Sequence, residues 1–428
     1  MDRRALRGWM LYDWANSAFA TTMMAAVLPI FYAEVAAIHL PGHVAEAYWG
    51  YTQSIAMLLV ALLSPTLGAI ADYTGSKLKF LKLFTLLGAL SCIIMAFVGE
   101  GDWLMASVLL VLGTLGFAGG NTFYDALLAD GVPAEQRDIV SAKGYAYGYA
   151  GGGLLLLVNV IMIEGWELLG FPNQTFATQM VFITVGLWWV LFSIPIFRWV
   201  KEPVRQALAA KVSAGEAVKV GVSRLWGTFR TLRRYPELLK YMASFWFFND
   251  GINTVIVMAT IYGSGIGIAT TDLIIALLIT QFVGFPCTIA FGRLAVRHGS
   301  KKLLYISLII YVLIVVLGYF MTSSIHFYAL AIAVGLVQGG SQAVSRSIYA
   351  NLLPPSKTGE FFGFLSLSSK FSAIAGPLMF SIIATGTGSS RLGILSLVAF
   401  FIIGIVLLLF VNLKKGAREA LEGELSSN

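Results

Sequence analysis

Twelve long apolar stretches dominate this chain and leave it few ways to fold. They fall at roughly 10–36, 47–71, 79–99, 103–128, 139–164, 176–199, 238–262, 271–295, 302–322, 326–352, 361–384 and 391–413. Each has about the length, ~20 residues, at which a helix crosses ~30 Å of hydrocarbon. Hydrophobic residues make up 58% of the chain and charged residues 12%, where a soluble domain carries about a quarter charged. Period-2 alternation is absent, which argues against a β-barrel. The fold expected is an all-α membrane protein of twelve transmembrane helices.

A short pattern occurs twice, half a chain apart. Gly68, Ala71, Gly75, Ser76 and Lys77 recur as Gly292, Ala295, Gly299, Ser300 and Lys301. Both copies leave one apolar stretch and enter the next, so the chain reads as two similar six-helix bundles. The expected organisation is a first bundle over 1–200, a basic linker over 201–237, a second bundle over 238–413 and a tail over 414–428. Two such bundles around a shared cavity are the architecture of a carrier. Within the linker, Val218, Val222, Leu225 and Phe229 recur at helical spacing opposite basic residues. That pattern predicts an amphipathic helix lying on the membrane surface.

The net charge of +7 is distributed as a membrane protein distributes it, and no nucleic-acid partner is implied. Arg3, Arg4, Arg7, Lys77, Lys79, Lys82, Arg137, Lys143, Arg293, Arg297, Lys301, Lys302, Lys414, Lys415 and Arg418 all fall on one side of a twelve-span topology. The opposite loops carry Glu46, Glu100, Asp102, Glu164 and Glu167. The positive-inside rule then places both termini in the cytoplasm. The first span is too long for a cleavable leader and contains Asp13 and Asn16. Cys92 and Cys287 lie inside apolar stretches and read as packing residues. His39 and His43 are separated by Pro41 and Gly42, which breaks the helix that would align them on a metal; an ordinary loop is expected.

Polar residues inside the spans are concentrated. A charged side chain at the bilayer centre costs about 2.5–3.5 kcal/mol on the insertion scale, so such residues persist facing a cavity or a partner. Span one has Asp13 and Asn16, span four Asn121, Tyr124 and Asp125, span seven Asn249, Asp250 and Asn253. Span ten has Gln338, Gln342 and Arg346, and span eleven Lys370. Spans one, four, seven and ten are the first of each three-helix unit, which implies one polar interior built from equivalent helices. Asp13 and Asn16 match Asp250 and Asn253, each a carboxylate and an amide on one helix face. Lys370 and Asp250 lie at similar depth and read either as a substrate or proton site or as a structural pair. Asp125 and Arg346 lie nearer the cytoplasmic ends and read either as a gate or as a structural pair.

The first loop, Gly68, Asp72, Gly75 and Lys77, resembles the loop signature of the major facilitator superfamily. That resemblance implies that Asp72 caps a neighbouring helix and holds one conformational state. The second copy has Val296 in place of the aspartate, so only the first would carry this latch. Tyr12 to Ala18, Tyr149 to Gly153, Glu360 to Phe364 and Lys370 to Ser372 are similar to the autophagy-related vacuolar amino-acid effluxer family and its bacterial relatives. Membership implies a major facilitator fold and, from the eukaryotic members, amino-acid efflux. The expectation is a secondary transporter of the bacterial inner membrane, acting as a monomer on a small solute, with protons as the coupling ion. Asp13, Asp250 or Asp125 would carry the proton. Export of amphiphilic compounds is the alternative, on the abundance of methionine and aromatic residues. A sensor or a membrane enzyme is the remote one. No G-x-x-x-x-G-K-[ST] loop occurs, and no cofactor is expected.

Overall fold

The structure is a computed structural model and describes residues 1–40, 42–202, 232–265 and 267–425. The helix expected around 218–229 lies outside the described residues. Among the described residues every regular element is helical. We number the long helices α1 (Arg3–Ala18), α2 (Gly42–Thr74), α3 (Lys77–Met95), α4 (Trp103–Gly131), α5 (Arg137–Glu164) and α6 (Gln174–Trp199). Then follow α7 (Pro236–Gly265), α8 (Thr270–His298), α9 (Ser300–Tyr319), α10 (Ser324–Asn351), α11 (Thr358–Thr387), α12 (Ser390–Leu409) and α13 (Leu413–Leu425).

Among the described residues nine of these, α2 to α6, α8 to α10 and α12, are long and apolar enough to cross a bilayer. The first expected span is present but broken. After α1 the chain is π-helical over Phe19–Ala26, bends by 43°, and continues to Ala36. Pro29 lacks an amide hydrogen, and just before it the Val27 amide donates back five residues to the Thr22 carbonyl at 2.8 Å. The remaining expected spans, seven and eleven, correspond to α7 and α11, 30 residues each and so about 45 Å long.

The duplicated loop has a duplicated backbone. Gly75 and Gly299, the repeat-equivalent glycines, have φ of 60° and 91°, a region that disfavours any side chain. Each lets a long helix stop and the next one start within two residues.

The chain packs as two compact units. The first is Met1–Leu63, Ser76–Tyr124 and Tyr147–Glu202; the second is Ser64–Gly75, Asp125–Ala146 and Pro203–Asn428. The second unit therefore takes the ends of α2, α4 and α5 from the first half of the chain.

In the first unit, α1 lies close against α5. A Cβ at Gly148 would stand 2.5 Å from Ser17 Oγ, and one at Gly151 would stand 2.4 Å from the Trp14 carbonyl oxygen. The glycine run does not bend α5, which is helical from end to end; it admits a neighbour. Without a hydrophobic drive between helices in lipid, such close approach supplies the association energy. At the far end of α6, Glu202 accepts from the Lys77 and Leu78 amides at 3.0 and 2.6 Å. This carboxylate caps the start of α3.

In the second unit the corresponding helices are joined by the opposite charge. Lys301, at the start of α9, donates to the Leu409 and Val411 carbonyls at 3.3 and 2.6 Å, closing the end of α12. The tail helix α13 docks nearby on Glu237, which precedes the apolar part of α7. Glu237 is buried and accepts from the Asn412 amide at 2.7 Å and from Lys240 at 2.9 Å. Burial pushes this carboxyl up, but those two hydrogen bonds and the charges of Lys240 and Lys415 outweigh it and hold it below the ordinary value.

Gly151→Ala gains about 1 kcal/mol of helix propensity but meets immovable backbone, and overpacking of that kind costs about 1–3 kcal/mol. The variant is expected to melt lower in detergent; an unchanged or higher Tm would contradict the packing described. Because the Glu237 pKa is lowered on folding, its stabilisation is full above about 4.5, the ordinary value, and lost as the pH falls below it. Glu237→Gln should lower Tm at pH 7 and remove the acid-dependent part of the wild-type loss.

Candidate functional site

Half of the twelve polar residues picked out in the spans fall into two clusters, one in each unit. In the first unit α1 meets α4. Tyr124 donates its hydroxyl to Asp13 Oδ2 at 2.7 Å, and Asn16 Nδ2 donates to Asn121 Oδ1 at 2.6 Å. Aromatic rings enclose this cluster. Trp9 stacks on Tyr124 with centroids 4.4 Å apart and donates its indole N–H to the Tyr124 carbonyl at 3.1 Å. Tyr12 packs on the same ring and shares a hydrogen bond with Thr85. Asp13 and Asn16 are both buried. The helical spacing of Asp13 with Asn16, and of Asn121 with Tyr124, presents two matched pairs along one helix–helix seam.

In the second unit α10 meets the ends of α4 and α5. Arg346 pairs with Asp125 at 3.0 Å; the arginine is 5% exposed and the aspartate 25%. Arg346 also donates to Ser141 Oγ and to the Ser141 carbonyl, each at 2.9 Å. Its guanidinium carbon lies 4.3 Å from the centre of the Tyr145 ring. Removing one partner from a buried pair costs about 3–5 kcal/mol, against 0–1 kcal/mol for an exposed pair. This interaction therefore outranks the exposed Lys415–Glu419 pair of the tail.

Around that pair the helix ends are fastened. Arg137 donates to the Ala129 and Val132 carbonyls at the end of α4 and to the Ala350 carbonyl and Asn351 Oδ1 at the end of α10. One guanidinium thus closes two helix C-termini, where the macrodipole favours a cation. Asp130 accepts from the Thr358 hydroxyl at 2.6 Å in the first turn of α11. Asp72 lies at the same turn: a Cβ on Gly359 would stand 3.0 Å from Asp72 Oδ1 and 3.1 Å from the Gly68 carbonyl. The loop aspartate therefore faces a helix N-terminus, the position that favours an anion. The second loop copy makes a related contact with the roles exchanged. Its Ser300 donates to Asp138 in the first turn of α5, and Gly292 lies against Ala142, while Val296 is exposed.

The remaining predicted residues are dispersed. Asn249 and Asp250 are buried on α7. Thr254 lies 3.4 Å from Asp250 Oδ1, and α11 comes close at Gly376. Asn253 and Gln342 are half-buried. Gln338 lines an apolar cavity of about 100 Å³ with Val255, Thr280, Phe327 and others of α7 to α10. The Lys370 side chain lies outside the described residues, so its pairing with Asp250 stays an expectation. Lys77 is buried, with its amide held by Glu202.

Sequence reading missed Ser141, Arg137, Asp138 and Ser300. Arg137 had been counted only as a loop cation and Ser300 only as a member of the repeated loop pattern, and nothing local marks the other two. It also missed a buried network in the first unit, where Asn159 joins Thr22 of the π-helical turn at 3.3 Å to Thr184 of α6 at 2.9 Å.

The family described as "Vacuole effluxer Atg22 like" matches residues 42–133 and 129–421. The chain belongs to the Atg22-like family. It is 38% identical over 405 residues to an uncharacterized MFS-type transporter, YxiO, of Bacillus subtilis (strain 168), covering 94% of each chain. It is 21% identical over 474 residues to autophagy-related protein 22 of Kluyveromyces lactis, covering 98% of this chain and 95% of the relative. Among solved structures, a major facilitator superfamily proton:xylose symporter superposes with a TM-score of 0.70 at 15% identity, over 96% of this chain and 94% of that one. This Atg22-like chain is an integral membrane transporter of the major facilitator type and not an enzyme. The Tyr12–Ala18 stretch precedes the matched residues, yet it supplies the carboxylate and amide of the α1–α4 cluster.

The Arg346 cluster predicts a conformational readout. Ser345→Cys is a near-isosteric change at a buried position on α10. In a Cys287→Ser background, Asp125→Asn should speed maleimide labelling of that cysteine roughly tenfold, which corresponds to a loss of about 1.4 kcal/mol from the tied arrangement. Unchanged labelling would mean that the pair holds nothing shut.

Proposed function

We propose that this chain moves an amino acid, or a small solute of similar size and charge, across the bacterial inner membrane by alternating access driven by protons. The observation that carries the reading is the fastened end of the second unit. There α4 and α5 are held to α10 and α11 by an ion pair and hydrogen bonds, all of which water can replace. Such a latch is worth a few kcal/mol, the range in which a bound solute or proton shifts a two-state equilibrium.

The residues divide by role under this reading. Arg346 is saturated by Asp125, Ser141 and Tyr145, so it serves the latch with Asp72 and Arg137 and not the solute. The carboxylate–amide pairs Asp13–Asn16 and Asp250–Asn253 suit an ammonium group, with Asn121, Tyr124, Asn249, Gln338 and Gln342 as further polar candidates. Lys370 is the candidate for the carboxylate. Amino acids are favoured because the resemblance to the vacuolar effluxers implies them. Protons are favoured because buried aspartates are available and a solved neighbour of the same fold is a proton:xylose symporter. The basic loops support an orientation with both termini in the cytoplasm.

Proteoliposomes with radiolabelled amino acids and an imposed pH gradient test the reading. Gradient-driven flux of at least one amino acid is expected. Asp250→Asn, which removes the charge that would hold the ammonium group, should reduce both accumulation and exchange of labelled for unlabelled solute. Absence of flux for every amino acid would overturn the substrate class, flux indifferent to the pH gradient would overturn proton drive, and full accumulation by Asp250→Asn would overturn its place at the solute.

A further inference from the structure

A recess in the first unit is lined by Arg4 from α1 and by Leu191, Ile194, Pro195, Arg198 and Trp199 from α6. The Arg4 guanidinium carbon lies 5.1 Å from the centre of the Trp199 ring. Both arginines are exposed. Among the described residues neither meets a carboxylate. Glu202, just past Arg198, caps the start of α3, so the recess lies at the membrane end that carries the basic α2–α3 loop.

Its profile is amphiphilic along the membrane normal. Arg198 marks the water-facing end, and Leu191 stands two turns deeper, about 10 Å. Leu191 and Ile194 are 60% and 37% exposed, as side chains facing hydrocarbon would be. Trp199 sits at the boundary, where indoles concentrate. Pro195 has no amide hydrogen to offer the Leu191 carbonyl, which leaves an acceptor in the wall. Below it α1 and α6 touch, with a Cβ at Gly8 falling 2.9 Å from the Pro195 carbonyl oxygen. The helix macrodipole accounts for Arg198, in the last turn of α6. It does not account for Arg4, which sits in the first turn of α1, where a cation is disfavoured.

We propose that this recess binds the phosphate of an anionic phospholipid, with Arg4 and Arg198 on the headgroup and an acyl chain along Leu191 and Ile194. Guanidinium forks match phosphate oxygens, and basic pockets between spanning helices hold headgroups in this way. A glycerol headgroup would also supply a hydroxyl for the Leu191 carbonyl. The proposal rests on the chain lying in a bilayer and not on the solute it moves.

Native mass spectrometry of the full chain, released from nanodiscs of phosphatidylcholine with or without phosphatidylglycerol, tests it. One retained phosphatidylglycerol is expected, and no retained phosphatidylcholine. Arg4→Gln with Arg198→Gln should weaken retention roughly 30-fold, at about 1 kcal/mol for each cation. Lys79→Gln with Lys82→Gln removes the same charge elsewhere and should leave retention unchanged. Should the double arginine variant fail to fold, Arg198→Gln alone, an exposed change, carries the test with a several-fold loss. Equal retention by wild type and variant, or an equal loss in the lysine control, would overturn the site. Displacement by inorganic phosphate as readily as by phosphatidylglycerol would show a free-phosphate site and overturn the lipid.

Discussion

Hydrocarbon offers no hydrogen bonds, so every polar group within the membrane must find its partner in the protein. Arg346 places a demand of this kind on the second unit. Its guanidinium is almost fully enclosed, and α4 supplies its counter-charge, α5 two oxygens and an aromatic face. Those three contributions fix where the ends of α4 and α5 can lie. The unit boundary crosses α4 between Tyr124 and Asp125, with Tyr124 bonded to α1 and Asp125 to α10.

The two loop copies show how a duplicated segment keeps a geometry while its chemistry diverges. Gly75 and Gly299 turn the chain in the same sense at the same place. Beside them, one third helix begins on a carboxylate from Glu202, whereas Lys301 at the start of the other grips carbonyls at the end of α12. Either polarity works, because a helix start and a helix end carry opposite partial charges. The loops also reverse roles toward their neighbours, Asp72 facing the start of α11 and Ser300 donating to an aspartate at the start of α5.

What the sequence revealed depended on whether the signal was local. Spans, loop cations and the i, i+3 pairing of Asp13 with Asn16 are read from period and hydropathy alone, and the structure places each on its helix. The meeting of Asp125 with Arg346 was legible for a different reason: opposite charges at similar depth have few other partners in lipid. Ser141 offered nothing of the kind, since a serine in an apolar helix becomes informative only once the opposing helix is known. The break in the first span was visible in Pro29 and was overlooked because the surrounding hydropathy is unbroken. The glycines of α5 make room for α1, and sequence alone does not say whether a missing side chain loosens a helix or admits another.

Arg137 has a consequence for how the molecule moves. A single planar group serves the last carbonyls of α4 and α10 together, so α10 cannot leave without giving up the donor that Arg137 holds on Ala350 and Asn351. Gradual parting is unfavourable, because hydrogen bonds to Ala350 and Asn351 weaken steeply with distance and misalignment while the other guanidinium nitrogens stay on α4. Such geometry converts two loosely related displacements into one switch-like step, and a lysine there, a point charge without the fork, would make that step soft.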